Sequence, residues 1–350
     1  MSNYFAVIMA GGYGERFWPL STKKRPKQFI DLIDNKSLIE MTIDRIPSTI
    51  PKENIIIITN NDHIDLTKNI LPQIPDENII GEPYLRDTGA AITTSLAIIK
   101  KRNPNAVFCV LASDHFIDDV QEFNNTILES MKLAYENEIL ITIGIKPSFP
   151  STGYGYIKTD DEFKNLNGLK YFYTNSFVEK PNLDKAKEFM TDNKYFWNSG
   201  IFIWSVKTLE ESLKLSSQLF KFFTELSPYI ESENLNKGLQ ILYPNLNKIS
   251  IDYELMEKAN NIVMVHGNFS WSDVGSWDSF EKLFTQDKND NTFIGKIDSY
   301  KSFKNTVYSK NKSIKLIGVE GLVIVETDDG ILVCKKGYEQ DIKKTNLLSN

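Results

Sequence analysis

The sequence predicts an α/β protein: a Rossmann-like, mostly parallel, doubly wound sheet followed by a small C-terminal β domain. Three observations predict it. Up to about Ile145, short runs apolar on both faces alternate with helical segments, the pattern of a sheet covered by helices on both sides. The first apolar run ends in a glycine-rich turn, Ala10-Gly11-Gly12-Tyr13-Gly14. From Asn291 onward the pattern is strand-like.

Taken in order, Tyr4–Met9 reads as a strand. Ser37-Leu38-Ile39-Glu40 has the form of a capping box, so a helix starts there. Asn54–Thr59 is a β-branched, buried strand. Gly89–Lys101 reads as a helix, Ala106–Leu111 as a strand, Glu122–Glu136 as a helix and Ile139–Ile145 as a strand. Gly153 to Phe284 mixes both. The polar stretch Thr285–Asn291 marks a boundary, giving domains 1–287 and 288–350. In the second, Asp328-Asp329-Gly330 between Gly321–Glu326 and Ile331–Cys334 predicts a hairpin. Ligands bind such sheets at the carboxyl ends of strands, which sets the Gly11 loop and Ser113-Asp114-His115 on one rim.

The 350 residues are enough for a sizeable core, and the 41% hydrophobic and 25% charged fractions are ordinary for a globular protein. A net charge of -6 argues against a general nucleic-acid binder. Cys109 and Cys334 lie far apart and read as free thiols of a reducing compartment. No basic-then-apolar leader and no apolar run near ~18 residues occurs, so neither export nor a membrane is expected and the cytoplasm is.

The glycine turn is the richest motif. Glycines let the backbone approach a ligand, and their N–H groups can line an anion. Arg16 and Lys27 follow and would neutralise phosphate. The turn is no P-loop, since no Gly-Lys-Ser/Thr follows, and Phe17 stands where a dinucleotide fingerprint needs its third glycine. Asp114 ends an apolar strand, as a plain loop residue or as a ligand for a hard cation beside phosphates. No Ser/His/Asp or Cys/His constellation is present, which fits direct displacement.

The run Ala10-Gly11-Gly12-x-Gly14-x-Arg16-x-Trp18-Pro19-Leu20-Ser21 with Pro26-Lys27-Gln28 resembles the sugar-1-phosphate nucleotidyltransferases. Within that family it is most similar to the guanylyltransferases acting on mannose 1-phosphate. Further matches follow in register: Glu82-Pro83 with Arg86-Asp87-Thr88, Ala112-Ser113-Asp114-His115, Gly153-Tyr154-Gly155-Tyr156-Ile157, Phe177-Val178-Glu179-Lys180-Pro181, Trp197-Asn198-Ser199-Gly200, Ser250-Ile251-Asp252-Tyr253 and Trp271-Ser272-Asp273-Val274-Gly275-Ser276-Trp277.

The resemblance implies a nucleotide-diphospho-sugar transferase sheet and a left-handed β-helix-like tail that associates copies, with a homodimer as the candidate form. It implies GTP and mannose 1-phosphate as substrates, GDP-mannose and pyrophosphate as products, and Mg²⁺ on Asp114 and Asp273. Arg16, Lys27, Asp114 and Asp273 would be catalytic. Ala10, Gly11, Gly12, Gly14, Glu15, Arg16, Lys27, Glu82, Arg86, Asp87 and Thr88 would bind nucleotide, with Glu82 accepting from guanine N1–H and N2–H₂. Gly155, Glu179, Lys180 and Asn198 would bind the sugar. Bland readings stand beside these. Asp87, where relatives carry Asn, either caps a helix or touches ligand; Glu179–Lys180 fits a solvated rim; Asn198 fits a turn. Asp252 reads as a cap or support residue, and Trp197, Trp271 and Trp277 as core or cleft wall. Two alternatives remain: the same chemistry on another NTP or sugar 1-phosphate, and a non-catalytic nucleotide-sugar sensor. With the sequence ending at Asn350, a second, isomerase activity is not expected.

Overall fold

The computed structural model describes residues 3–12, 14–33, 36–342 and 344. The chain forms two compact units. One comprises Met1–Gly11, Thr42–Ser113 and Ile117–Trp271; the other comprises Gly12–Met41, Asp114–Phe116 and Ser272–Asn350.

The first unit is built on one nine-stranded sheet. Its strands are β1 (Tyr4–Ala10), β2 (Ile55–Asn60), β3 (Ile79–Glu82), β4 (Val107–Ala112), β5 (Leu140–Ile145), β6 (Tyr156–Leu166), β7 (Leu169–Val178), β8 (Tyr195–Ser205) and β9 (Ile262–His266). They lie in the order β3-β2-β1-β4-β8-β5-β9-β7-β6. All but β7 and β8 run in one direction, so the sheet is mostly parallel. Every residue of β2 and β5 is buried, as expected of strands covered on both faces. The antiparallel β8 enters between β4 and β5, pairing Phe202 with Val110 on one side and with Thr142 on the other.

The helices are α1 (Leu38–Asp44), α2 (Ile64–Ile70), α3 (Asp87–Arg102) and α4 (Val120–Glu136) in the first part of the chain. The capping box before α1 forms: Ser37 N and Oγ donate to Glu40 Oε2 at 2.8 and 2.5 Å. In α4, Asp119 caps the helix by accepting from Glu122 N at 2.9 Å. The small residues Gly89, Ala90 and Ala91 open a run buried through Ile99, which lets α3 pack closely in the core.

In the second unit the tail strands are β10 (Thr292–Ile294), β11 (Ile297–Tyr300), β12 (Thr306–Ser309), β13 (Ile314–Ile317), β14 (Leu322–Thr327) and β15 (Gly330–Lys335). Parallel pairing of β10 with β12, β12 with β14, and β11 with β13 stacks successive coils of a β-helix. A buried amide ladder runs up the coils. Asn305 N and Nδ2 each donate to Asn291 Oδ1 at 3.0 Å, and Leu322 N donates to Asn305 Oδ1 at 3.0 Å. The hairpin expected at Asp328-Asp329 is present: β14 and β15 pair antiparallel, with Thr327 opposite Gly330. Phe17, from the segment after the glycine turn, packs in the same core as Val274, Trp277, Phe280, Val323 and Val325. Its ring centroid lies 5.2 Å from that of Trp277. Among the described residues, no helix is long and apolar enough to cross a membrane.

Candidate functional site

The site residues of the first unit fall into two groups. In the first, Ala10 ends β1, with its carbonyl accepting from Thr59 Oγ1 at 3.2 Å, and Glu82 ends the parallel strand β3. Any Cβ on Gly11 would stand 3.3 Å from Glu82 Oε2, so the glycine keeps the space in front of that oxygen open. The other oxygen, Oε1, accepts from the Tyr243 hydroxyl at 3.1 Å, and Tyr243 in turn lies 3.1 Å from Thr94 Oγ1. Glu82 is 5% exposed. Burial pushes its carboxyl up to about 8; the Tyr243 hydrogen bond opposes this and the Asp87 charge adds to it.

Arg86, Asp87 and Thr88 open α3, and all three have intramolecular work. Arg86 donates from Nε to Tyr243 O at 3.0 Å and from Nη2 to Pro244 O at 3.1 Å. Asp87 has φ 67°, a left-handed conformation in which Asn and Asp are the most tolerated side chains after Gly. Its Oδ1 accepts from Thr88 N at 2.9 Å, serving an N–H of the helix's first turn. Thr88 Oγ1 accepts from Ile251 N at 2.9 Å, pinning the segment before Asp252 to the start of α3.

The second group gathers Gly155, Glu179, Lys180, Asn198 and Asp252. Asn198 N donates to Gly155 O at 2.8 Å. A Cβ on Gly155 would run into Glu179 Oε2, so only glycine lets this carboxylate sit against the backbone. Lys180 Nζ pairs with Glu179 Oε1 at 2.7 Å, the lysine largely exposed. The Asn198 amide is held at both ends: Nδ2 donates to Asp252 Oδ1 at 2.8 Å, while Oδ1 accepts from Thr142 Oγ1 and Gly200 N, each at 3.2 Å. One amide N–H is left for a ligand. Asp252 is a support residue, at the start of the π-turn Asp252–Met256. Burial pushes its carboxyl up to about 6; the Glu179 charge adds to this, and the Asn198 hydrogen bond and Lys180 oppose it.

In the second unit Lys27 is 5% exposed. Its Nζ donates to Asp114 Oδ2 at 2.8 Å and to Asp273 O at 2.5 Å, leaving one donor of three. Burial pushes the Asp114 carboxyl up, but the Lys27 ammonium, seconded by His115, outweighs it and holds the group below its usual range. Asp273 Oδ1 accepts from Gly275 N at 3.0 Å. Gly14 has φ 64°, and a Cβ there would collide with the Cβ of Lys27. Ser21 Oγ donates to Gly14 O. Gly12 is exposed, and so is Arg16 on the short turn Glu15–Phe17. The side chain of Glu15 lies outside the described residues. Trp277 is fully buried core; Trp197, 4% exposed, packs in a ring cluster with Phe149 and Tyr154.

The donors suit a hard cation. Asp114 and Asp273 offer carboxylate oxygens, and Asp114 is about one-third exposed, at 34%. Among the described residues no three His, Cys, Asp or Glu side chains group together. Two carboxylates fit a magnesium-type ion that takes its other ligands from phosphate and water. Tyr243 and Thr94 were not found by sequence reasoning. Neither belongs to a motif, and Tyr243 is 161 residues from the carboxylate it holds.

Comparison with known proteins gives the following. Residues 5–290 match the family model described as nucleotidyl transferase. Residues 296–345 match a model described as MannoseP isomerase/GMP-like beta-helix domain. Mannose-1-phosphate guanylyltransferase 2 of Escherichia coli O157:H7 is 36% identical over 349 residues, covering 97% of this chain and 72% of that protein. A crystal structure described as mannose-1-phosphate geranyltransferase, from Thermus thermophilus, superposes with a TM-score of 0.86 at 29% identity, covering 100% of both chains. One described as mannose-6-phosphate isomerase, from Helicobacter pylori, gives a TM-score of 0.60 at 27% identity over 77% of this chain and 99% of that one.

Proposed function

Because the chain belongs to the nucleotidyl transferase family, among the sugar-1-phosphate nucleotidyltransferases of the mannose-1-phosphate guanylyltransferase group, we propose that it transfers GMP from GTP to α-D-mannose 1-phosphate. The products are GDP-mannose and pyrophosphate. A phosphate oxygen of the sugar phosphate attacks the α-phosphorus of GTP in line. The bond to the bridging oxygen breaks and pyrophosphate leaves with the electron pair. Rate enhancement comes from positioning and charge neutralisation, with no protein nucleophile.

The observation that carries the reading is the buried Lys27 ammonium, tied to Asp114 and to the Asp273 carbonyl on a segment where Gly14 admits no side chain. Its remaining donor, with Arg16, takes the departing pyrophosphate, and the backbone of Gly11, Gly12 and Gly14 approaches the phosphates. Ala10 and Glu15 flank this turn. Asp114 and Asp273 hold Mg²⁺, which when bound neutralises phosphate charge. Glu82 accepts from guanine N1–H and N2–H₂, donors that adenine does not present in that pattern, and Asp87 stands beside it. Asn198, Glu179 and Lys180 meet the sugar phosphate, with Gly155 admitting it to the backbone. On this reading residues 1–287 carry catalysis, 288–350 associate two copies as a homodimer, and the protein works in the cytoplasm.

The test is pyrophosphate release over four NTPs crossed with mannose, glucose and heptose 1-phosphates. The fastest release is expected from GTP with mannose 1-phosphate. A faster pair overturns the substrate assignment, and binding of GDP-mannose with no release from any pair overturns catalysis.

A further inference from the structure

Glu82 is held by a chain of polar groups that the ligand contacts do not use. Tyr243 is fully buried, and its phenol bridges Glu82 Oε1 and Thr94 Oγ1, at 3.1 Å from each. A phenol has one proton to give. With the Thr94 hydroxyl donating into it, that proton goes to Glu82. The other carboxylate oxygen then faces the open space that Gly11 keeps. The Tyr243 backbone is fixed as well. Arg86 reaches from the end of the β3 loop to the carbonyls of Tyr243 and Pro244, clamping the turn Tyr243–Asn245.

We propose that Tyr243 is a positioning residue for purine selection: it locks one oxygen of Glu82 so that the carboxylate presents a fixed edge toward Gly11, and Arg86 acts by holding the Tyr243 turn rather than by touching the nucleotide. The inference rests on Glu82 being the guanine acceptor. The titratable groups facing Glu82 are Tyr243 and Asp87. A ring without the hydroxyl would still pack edge-on against Phe222, whose centroid is 5.5 Å away, so shape and hydrogen bond can be separated.

Tyr243→Phe makes that separation. In steady-state assays of the full chain, KM for GTP rises on the order of tenfold, about the worth of one buried hydrogen bond, while kcat and KM for the sugar phosphate hold. The preference for GTP over ATP falls by the same factor. Removing the donor disfavours the ionised carboxylate, so the rise of KM for GTP on acidification begins at higher pH than in the wild type. Arg86→Gln reproduces the KM rise, and the double variant adds little to either single one. Thr94→Val, which removes the outer hydroxyl, gives a smaller rise and keeps the test open if Tyr243→Phe lowers the melting temperature too far. An unchanged KM and pH profile in a folded Tyr243→Phe overturns the proposal, and additivity with Arg86→Gln overturns the role of Arg86. Retention of the wild-type GTP preference by Glu82→Gln would instead remove the underlying reading, whatever Tyr243→Phe does.

Discussion

The Glu82 and Asn198 groups of the first unit and the lysine–carboxylate group of the second are fixed in different ways. Glu82 ends a regular strand, and Asn198 lies inside one, so the sheet fixes both backbones. Buried side-chain relays, Thr94–Tyr243–Glu82 and Thr142–Asn198–Asp252, then fix the functional atoms. Lys27 and Asp273 lack that support, and Asp114 lies two residues beyond the end of β4. Lys27 opens a one-turn helix and Asp273 follows a two-residue strand. What holds their segments is an aromatic core, Phe17 with Trp277 and Phe280, and one ammonium tied to both aspartates. Loss of one relay bond should therefore cost the sheet-borne groups less than loss of one contact costs the loop-borne group.

Lys27→Ala tests that contrast most severely. It removes a charge from the lysine–carboxylate group and leaves Asp114 without its cation, so kcat should fall by about 10²–10³ while the melting curve stays cooperative. Near-wild-type turnover would break the comparison. Gly14→Ala comes next. A left-handed conformation costs an L-residue about 1–2 kcal/mol before the collision with Lys27 is counted, so a lowered melting temperature and a large loss of turnover should appear together. Asp252→Ala should be milder. Asn198 loses one partner of three, and KM for the sugar phosphate should rise about tenfold with kcat largely kept.

The smallest effect is on pH-dependent stability. Folded Glu82 holds its proton up to about 8, against 4.5 for an ordinary glutamate, so between those values the native state binds the extra proton. Stability must fall as pH rises through that window. Asp252, shifted to about 6, contributes in the same direction over the lower part. Urea midpoints measured without ligand at pH 5 and pH 9 should therefore differ less in Glu82→Gln than in the wild type, with a residual slope below pH 6. An equal difference in both proteins would show that Glu82 ionises freely.

The strands up to Ile145, the capping box at Ser37 and the hairpin at Asp328-Asp329 were legible in sequence because local rules set them: β-branched runs, a Ser-x-x-Glu spacing, turn residues. The place of β8 was not. A strand buried on both faces reads the same in either direction, and its partners β4 and β5 are chosen by long-range pairing. The motif residues were legible as a set. Their intramolecular partners were not: Arg86 Nε and Nη2 and Thr88 Oγ1 meet Tyr243, Pro244 and Ile251, which stand at no fixed sequence offset. Nor does any local pattern tell that Phe17 shares a core with β14 of the tail.

The Thr88 hydroxyl joins the start of α3 to Ile251, next to the Asp252 that steers Asn198. Two backbone bonds, Gly89 N to Ile249 O and Ile249 N to Arg86 O, run beside it, so three hydrogen bonds tie the start of α3 to the segment before Asp252. A ligand that stiffened the first turn of α3 would be expected to restrain Asp252 and with it Asn198, and the reverse would follow by thermodynamic reciprocity. Cooperativity between two ligands can thus reside in the hydrogen bonds that join two short segments of the chain.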